Sequence, residues 1–155
     1  MRVEEIMTTK VFTVKQHDLI DRVFFLINYE KIRHLPVVDK GKVIGIISDR
    51  DLYKALGPKT NSNAIEGSVK SSELQVVETR VQNIMRRGVI TTTPDALVSS
   101  AAGIMAEHKI GALPVIDNNK LVGIVSATDI LRVFSKLEHL KENREKRIAE
   151  GASHT

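Results

Sequence analysis

The chain has 155 residues, no cysteine, no tryptophan and a formal net charge of +4 at pH 7. Its length allows one ordinary domain or two very small ones, and the absence of cysteine excludes disulfides, cysteine-ligated metal centres and a thiol nucleophile. Because aromatic residues make up only 4% of the chain, a nucleic-acid partner bound by aromatic stacking is disfavoured, whereas the mild positive charge permits phosphate ligands.

The first predicted elements are a short apolar strand at residues 11–14 and an amphipathic helix at residues 19–29. Apolar residues in the helix recur at the spacing of one helical face. Asp18 is the predicted N-cap, because a carboxylate oxygen accepts hydrogen bonds from the free N–H groups of a first turn.

Two further strands follow at residues 35–38 and 43–47. The turn between them, Asp-Lys-Gly at residues 39–41, is a hairpin signal. Ser48 then leads into a second predicted helix at residues 51–56. The order of the predicted elements in this unit is therefore β-α-β-β-α.

A connector is predicted after this unit, at residues 57–80. Residues 57–72 are rich in Gly, Pro, Ser, Asn and Thr, a composition typical of a loop. Residues 73–85 are predicted to form a helix that leads into the next part of the chain.

The unit then occurs a second time, since residues 81–134 align with residues 3–56 without a gap. Thr93 is the predicted cap of the first helix of this copy, at residues 95–108, with Pro94 in its first turn. Units this short bury little core alone, so we expect the copies to pack on each other. Identical pairs include Ile6/Ile84, Met7/Met85, Val11/Val89, Thr13/Thr91, Leu19/Leu97 and Ile32/Ile110.

A charged segment ends the chain at residues 135–155. Its charges alternate in sign, which predicts a solvated helix that extends the second copy, with a partner-binding helix as the alternative. The predicted organisation is thus repeat one at residues 1–56, a linker at 57–80, repeat two at 81–134 and a charged helix and tail at 135–155.

The location of the protein is predicted from what the sequence lacks. No apolar run approaches the roughly 18 residues of a membrane span, and the first residues show no apolar stretch typical of a secretory signal. Without cysteine the chain suits a reducing compartment. We therefore expect a cytoplasmic protein with no membrane partner.

A doubled motif carries a resemblance to a known family. Leu-Pro-Val-Val-Asp at residues 35–39, followed by Gly45 and then by Ser48 and Asp51, occurs again from Leu113 onward. This arrangement resembles a tandem pair of CBS domains, a Bateman module, and is most similar to bacterial CBS-pair proteins of the acetoin-utilisation type. The resemblance implies an α+β fold of two β-α-β-β-α repeats packed as a pseudo-two-fold pair. It also implies regulatory binding of adenine nucleotides or related adenosyl ligands in the cleft between the repeats, without catalysis.

The candidate ribose-binding residues are a serine and an aspartate at the start of the second helix of each copy: Ser48, Asp51, Ser126 and Asp129. Helix N-termini attract anions, and a carboxylate is a natural acceptor for a ribose diol. The alternative is that each serine caps the helix and each aspartate favours the helix dipole. Capping and binding are compatible.

The resemblance implies that the two residues before each Leu-Pro-Val point into the central cleft and meet phosphate, and in copy one these are Arg33 and His34. Arg50 is a further basic candidate, and Thr128 is its matching residue in copy two. Arginine suits phosphate because its fork binds two oxygens at once. Copy two has Gly111 and Ala112 where copy one has the Arg33–His34 pair, so we expect the half built on Asp51 to bind phosphorylated ligands more tightly.

The resemblance places adenine between the first strand and the residues around the proline of each copy. The candidates are Val11, Thr13, Ile32, Pro36, Val89, Ile110 and Pro114. Ordinary core packing is the alternative role of the apolar ones. No histidine pair has the spacing of a metal site, so no metal and no cofactor are expected.

The function predicted is a sensor module whose ligand is AMP, ADP or ATP, with S-adenosylmethionine or NAD as alternatives. The competing hypothesis is a non-catalytic interaction or dimerisation module with degenerate pockets. An enzyme is disfavoured because no nucleophile, base and orienting group occur together. Apolar residues beyond a single stripe on the first helix of each copy, including Ile20, Phe24, Phe25 and Ala101, predict a homodimer. A protein partner that responds to ligand binding is also expected, but the sequence does not identify it.

Overall fold

The structure is a computed structural model that describes residues 1–57 and 78–153. Its first copy contains α1 (Ile20–Tyr29), β1 (His34–Asp39), β2 (Lys42–Ser48) and α2 (Asp49–Leu56). The second contains α3 (Val98–His108), β3 (Ala112–Asp117), β4 (Lys120–Ser126) and α4 (Ala127–Ala152). The α+β class and the repeated unit predicted from the sequence are confirmed.

Each copy is built on an antiparallel hairpin with a two-residue loop. Lys40 and Gly41 have φ of 49° and 80°, and Asn118 and Asn119 have φ of 48° and 63°. Positive φ at both loop positions is the geometry of a type I′ turn, which suits the twist of a hairpin. Both hairpins carry an irregularity at the same place, after Val37 in one and after Val115 in the other.

The two capping predictions for the first helix of each copy are wrong. Asp18 Oδ2 accepts from Lys15 N at 2.8 Å, so its side chain closes the preceding turn, and α1 begins only after Leu19. Thr93 Oγ1 donates to Asp95 Oδ1 at 2.7 Å. Residues 93–96 form a turn closed by Ala96 N on Thr93 O at 3.2 Å, so α3 begins after this turn rather than at Pro94.

The predicted first strands at residues 11–14 and 89–92 are reduced to single parallel bridges, Val14 with Val37 and Thr92 with Val115. Val14 N donates to Pro36 O at 3.1 Å, and Thr92 N donates to Pro114 O at 3.0 Å. The adjoining hydrogen bond of each parallel ladder, toward the start of the chain, would have to be donated by the backbone nitrogen of Pro36 or Pro114. Proline has no N–H to donate. Both segments are therefore extended but do not form strands.

The first residues of each repeat, 3–8 and 81–86, pack on the opposite copy, and we call them the lead-in segments. Thr8 N and Ile124 O are joined at 2.9 Å, and Arg86 N and Ile46 O at 2.8 Å. Val3 belongs to the core of copy two and Val81 to the core of copy one. The two units are thus interlocked, although the repeat boundaries in the sequence do not show it.

The helix predicted at residues 73–85 falls partly outside the described residues. Within the described part, Val81–Asn83 is a 3-10 turn and not a continuing α-helix. This turn directs Met85 against the backbone of β2, where a Cβ on Gly45 would lie 2.6 Å from the Met85 sulfur. Met7 has the matching contact with Gly123 at the same distance.

Two apolar clusters form the core, one in each copy. The cluster of copy one contains Val14, Ile20, Val23, Leu26, Ile27, Leu35, Val37, Ile47, Leu52, Val81 and Met85. The cluster of copy two contains Val3, Ala101, Met105, Leu113, Val115 and Val125. Ile20 and Ala101 are therefore core residues and not the surplus surface residues that the sequence suggested.

The charged C-terminal segment continues the last helix of copy two without a break, since α4 runs for 26 residues. Every residue of α4 beyond Val133 that the structure describes is exposed. The predicted C-terminal helix is thus observed as a continuation of α4, and the first residues of α4 line the cleft described below.

Candidate functional site

A cleft of about 980 Å³ lies between the two copies and is lined by residues of both. A volume of this size falls in the range of small-molecule sites. The starts of α2 and α4 and the ends of β2 and β4 reach it, together with the segments that follow Thr8 and Arg86. One continuous cleft therefore contains both halves of the predicted site.

The start of α2 is held by a reciprocal cap. Asp51 N donates to Ser48 Oγ at 3.1 Å, and Asp51 Oδ2 accepts from Ser48 N and from Ser48 Oγ, each at 2.9 Å. This is a capping box in which serine and aspartate satisfy each other. The capping interpretation of the sequence is thus observed, and the second carboxylate oxygen, Oδ1, takes no part in it.

The start of α4 has the same geometry. Asp129 N donates to Ser126 Oγ at 3.2 Å, and Asp129 Oδ2 accepts from Ser126 N at 2.8 Å and from Ser126 Oγ at 2.7 Å. Each copy thus presents one carboxylate whose orientation is fixed by its own helix and whose Oδ1 lies outside the capping box.

The two carboxylates differ in the partner of Oδ1. Arg86 Nε donates to Asp51 Oδ1 at 2.9 Å. Asp129 Oδ1 lies 3.6 Å from Arg132 Nη1, which is longer than a hydrogen bond. Arg86 stands where copy one has Thr8, and it is positioned by its backbone bonds to Ile46.

His34 lies at the seam between the copies. Its ring faces Gly111, where an added Cβ would lie 2.8 Å from the His34 Nε2 atom. Burial lowers the pKa of His34, and the nearby Asp49 carboxylate opposes that shift. Gly111 therefore gives the imidazole room, and the neutral imidazole is favoured at neutral pH.

All four candidate phosphate residues line the cleft: Arg33, His34, Arg50 and Thr128. Four cations of the second repeat also line the cleft, namely Arg86, Arg87, Lys109 and Arg132. Of these, Arg86 contacts Asp51 and Arg132 lies beside Asp129.

The adenine candidates divide into two groups. Val11, Ile32, Val89 and Ile110 line the cleft. Thr13, Pro36 and Pro114 do not, and both prolines are buried, with their carbonyls bonded to the extended segments. We therefore leave these three out of the adenine contacts.

Arg86 is the functional candidate that sequence reasoning missed. The signal was present in the repeat alignment, which pairs Arg86 with Thr8 and so shows a cation on one copy only. Nothing in the sequence places residue 86 beside Asp51, because that contact depends on the exchange of the lead-in segments.

Two searches of the described residues gave negative results. No group of three or more His, Asp or Glu side chains in residues 1–57 and 78–153 is arranged to hold a metal ion. Among the same residues, no helix combines the length and the apolar character needed to cross a membrane.

Comparison with known proteins defines the class. The family model described as the CBS domain matches residues 3–58 and 81–136, so the chain belongs to the CBS domain family and carries two copies of the domain. The resemblance inferred from the doubled motif is confirmed.

Relatives differ in how much of their length is matched. Homoserine O-acetyltransferase of Methanococcoides burtonii is 35% identical over 134 residues, which are 85% of this chain and 24% of that protein. The chain thus spans about a quarter of that relative. The match therefore transfers no activity from the remainder of the enzyme.

Two solved structures are similar over nearly their whole length. The crystal structure of a putative acetoin utilization protein (AcuB) from Vibrio cholerae has a TM-score of 0.72 at 30% identity and covers 92% of this chain and 96% of that one. The CBS domain pair of protein MJ0100, solved in complex with 5-methylthioadenosine and S-adenosyl-L-methionine, has a TM-score of 0.71 at 30% identity and covers 88% and 97%.

Proposed function

We propose that this chain is a regulatory module that binds an adenosyl ligand, with AMP, ADP or ATP as the preferred class, in the cleft between its two CBS copies. The observation that carries the proposal is the pair of capped aspartates at matched positions of one cleft, each with Oδ1 outside its capping box. The ligands named for the MJ0100 pair both contain adenosine, which supports the same class here.

The ribose is assigned to the two capping boxes. Asp51 and Asp129 would accept the 2′ and 3′ hydroxyls, since an ionised carboxylate forms strong charge-assisted hydrogen bonds. Ser48 and Ser126 fix the orientation of the two carboxylates. A fixed carboxylate orientation reduces the cost of binding, although a ligand at Asp51 also has to displace Arg86 from Oδ1.

The base and the phosphates are assigned to the apolar and the cationic parts of the cleft. Val11, Ile32, Val89 and Ile110 would contact adenine, and neighbouring backbone groups would read its edge. Arg33, His34 and Arg50 would contact phosphate on the copy-one side, with Thr128 as the uncharged counterpart. Ligand binding would bridge the two interlocked copies and so change how firmly they are held together.

An interaction role is the second candidate, and a specific surface favours it. Phe24 and Phe25 on α1 are 48% and 52% exposed, and the Phe25 ring stacks on Tyr29 at a centroid distance of 4.4 Å. We include in the proposal a homodimer that buries this aromatic patch. Light scattering at tens of micromolar should give the mass of two chains, and Phe25→Ser should lower it; a monomeric wild type contradicts the dimer.

A thermal-shift screen tests the ligand proposal. AMP, ADP, ATP, S-adenosylmethionine and NAD are each added in excess to the wild type, because a ligand that binds only the native state raises the melting temperature by mass action. The Asp51→Ala/Asp129→Ala variant is expected to lose the shift, and Asp39→Ala/Asp117→Ala, two exposed hairpin aspartates, should keep it. No shift with any ligand favours the interaction role alone.

A further inference from the structure

The two aspartates of the cleft form an internal comparison, because their capping boxes match bond for bond. The difference is in what reaches Oδ1 from the lead-in segment of the other copy. At Asp51 this is the guanidinium of Arg86, at 2.9 Å. At Asp129 the corresponding residue is Thr8, which carries no charge, and the Arg132 guanidinium of the same helix lies 3.6 Å from Oδ1, beyond hydrogen-bond distance.

The segment geometry explains why Arg86 is placed there. Arg86 N donates to Ile46 O at 2.8 Å, and Ile46 N donates to Arg86 O at 3.0 Å. Thr8 makes the same two bonds to Ile124. Residues 8 and 86 are therefore held at equivalent points of the two half-sites, and the identity of the side chain decides what each carboxylate meets.

The ion pair has a consequence for ligand choice. The Asp51 side chain is only 10% exposed, whereas Arg86 is 64% exposed, so Arg86 covers the carboxylate and could turn outward. A neutral adenosyl ligand must separate Arg86 from Oδ1 and leaves the arginine without its partner. A ligand with a phosphate on the same ribose offers the displaced guanidinium a new anion, and arginine binds phosphate in a bidentate manner.

We propose that Arg86 is a specificity-determining residue that makes the Asp51 half-site select anionic adenosyl ligands over neutral or cationic ones. The Asp129 half-site has Thr8 in the matching place and an arginine, Arg132, that is not hydrogen-bonded to the carboxylate, so it discriminates less against neutral adenosyl ligands. This inference rests on the proposed function, since it concerns the choice among ligands of the same cleft.

Calorimetry with AMP and adenosine tests the inference in the full-length chain. An Asp129→Asn background isolates the Asp51 half-site. In that background Arg86→Thr should strengthen adenosine binding and weaken AMP binding, so that the ratio of the two affinities falls about tenfold, equivalent to roughly 1.4 kcal/mol. Arg86→Lys keeps the charge without the fork and should retain part of the ratio.

The neighbouring Arg87 provides a matched control. It lines the same cleft, and the structure records no contact between it and Asp51. Arg87→Thr should weaken AMP to some degree through lost positive charge, but it should not strengthen adenosine. A rise in adenosine affinity in Arg86→Thr but not in Arg87→Thr therefore distinguishes release of the Asp51 carboxylate from a general loss of positive charge.

The outcomes distinguish this inference from the function on which it rests. If the background protein binds AMP and adenosine but Arg86→Thr leaves their ratio unchanged, the role of Arg86 is contradicted and the ligand proposal stands. If the unmodified protein binds neither ligand, both are contradicted. If Arg87→Thr strengthens adenosine binding as much as Arg86→Thr does, the assignment of Arg86 is also overturned.

Discussion

At the scale of single residues, one aspartate in each copy caps its helix with one carboxylate oxygen and keeps the other outside the cap. Asp51 and Asp129 each use Oδ2 to complete a capping box, and Oδ1 of Asp51 is paired with Arg86. The sequence allowed both a capping and a ligand-binding role for these residues; the structure shows the capping role, and ligand binding stays a prediction. The sequence does not show that Arg86 contacts Asp51, because the two residues are 35 positions apart in the chain.

His34 makes the stability of the protein depend on pH. Its pKa is lowered chiefly by burial, against the attraction of Asp49 and Asp51 and with the repulsion of Arg33 and Arg50. Between this lowered pKa and the ordinary histidine value of about 6.5, the unfolded state binds more protons than the folded state. The free energy of unfolding therefore rises with pH through that window. The contribution of His34 to it is lost as pH falls through the folded-state pKa.

A pair of denaturation series measures the effect. Urea unfolding of the unliganded wild type and of His34→Asn is followed from pH 4.5 to 7.5, and the difference in unfolding free energy between the two should grow in favour of the wild type as pH rises. A constant difference, or one that grows on acidification, would show that the histidine is not buried in its neutral form.

At the scale of elements, local rules predicted the hairpins and the second helices well. The turn residues at 39–41 and 117–119 and the apolar runs beside them place β1 to β4 within a residue of their observed ends. The helix starts failed because Asp18 and Thr93 bond within the preceding turns. The predicted first strands do not form because Pro36 and Pro114 cannot donate to a parallel neighbour. The sequence does not show that these segments lie beside the prolines.

The hairpin loops give a reciprocal prediction. Lys40 occupies a positive-φ position with φ of 49°, where copy two has Asn118 with φ of 48°. Asparagine tolerates this conformation better than lysine. We expect Lys40→Asn to stabilise the protein by up to about 1 kcal/mol, since the left-handed conformation costs an ordinary residue roughly 1–2 kcal/mol and asparagine less, and Asn118→Lys to destabilise it by a similar amount in chemical denaturation. Effects of the same sign in both variants would contradict the turn assignment.

At the scale of the whole molecule, the exchange of lead-in segments makes two short units into one structure. The repeat in the sequence predicted that the copies pack together, but it placed residues 3–8 with copy one and residues 81–86 with copy two. The packing is the reverse, because Val3 and Val81 fill the core of the opposite copy. Periodicity identifies buried residues and cannot say which copy buries them.

A pair of core variants tests this interlocking. Val3 and Val81 are both 0% exposed, so Val3→Ala and Val81→Ala should each cost roughly 2 kcal/mol while leaving a single unfolding transition. Ile148→Ala, at a residue that is 63% exposed, serves as the control with little expected loss. Hydrogen exchange should quicken in β3 and β4 for the first variant and in β1 and β2 for the second; the opposite assignment would refute the exchange.

We propose that the cleft between the copies binds an adenosyl ligand through its two capped aspartates, and isothermal titration of the wild-type chain with AMP measures this binding. We expect a binding isotherm whose tighter event is lost in Asp51→Ala and largely kept in Asp129→Ala, and whose heat disappears when both are changed. An isotherm that survives the double substitution in a folded protein, or equal losses from the two single substitutions, would show that the cleft does not bind AMP in this way.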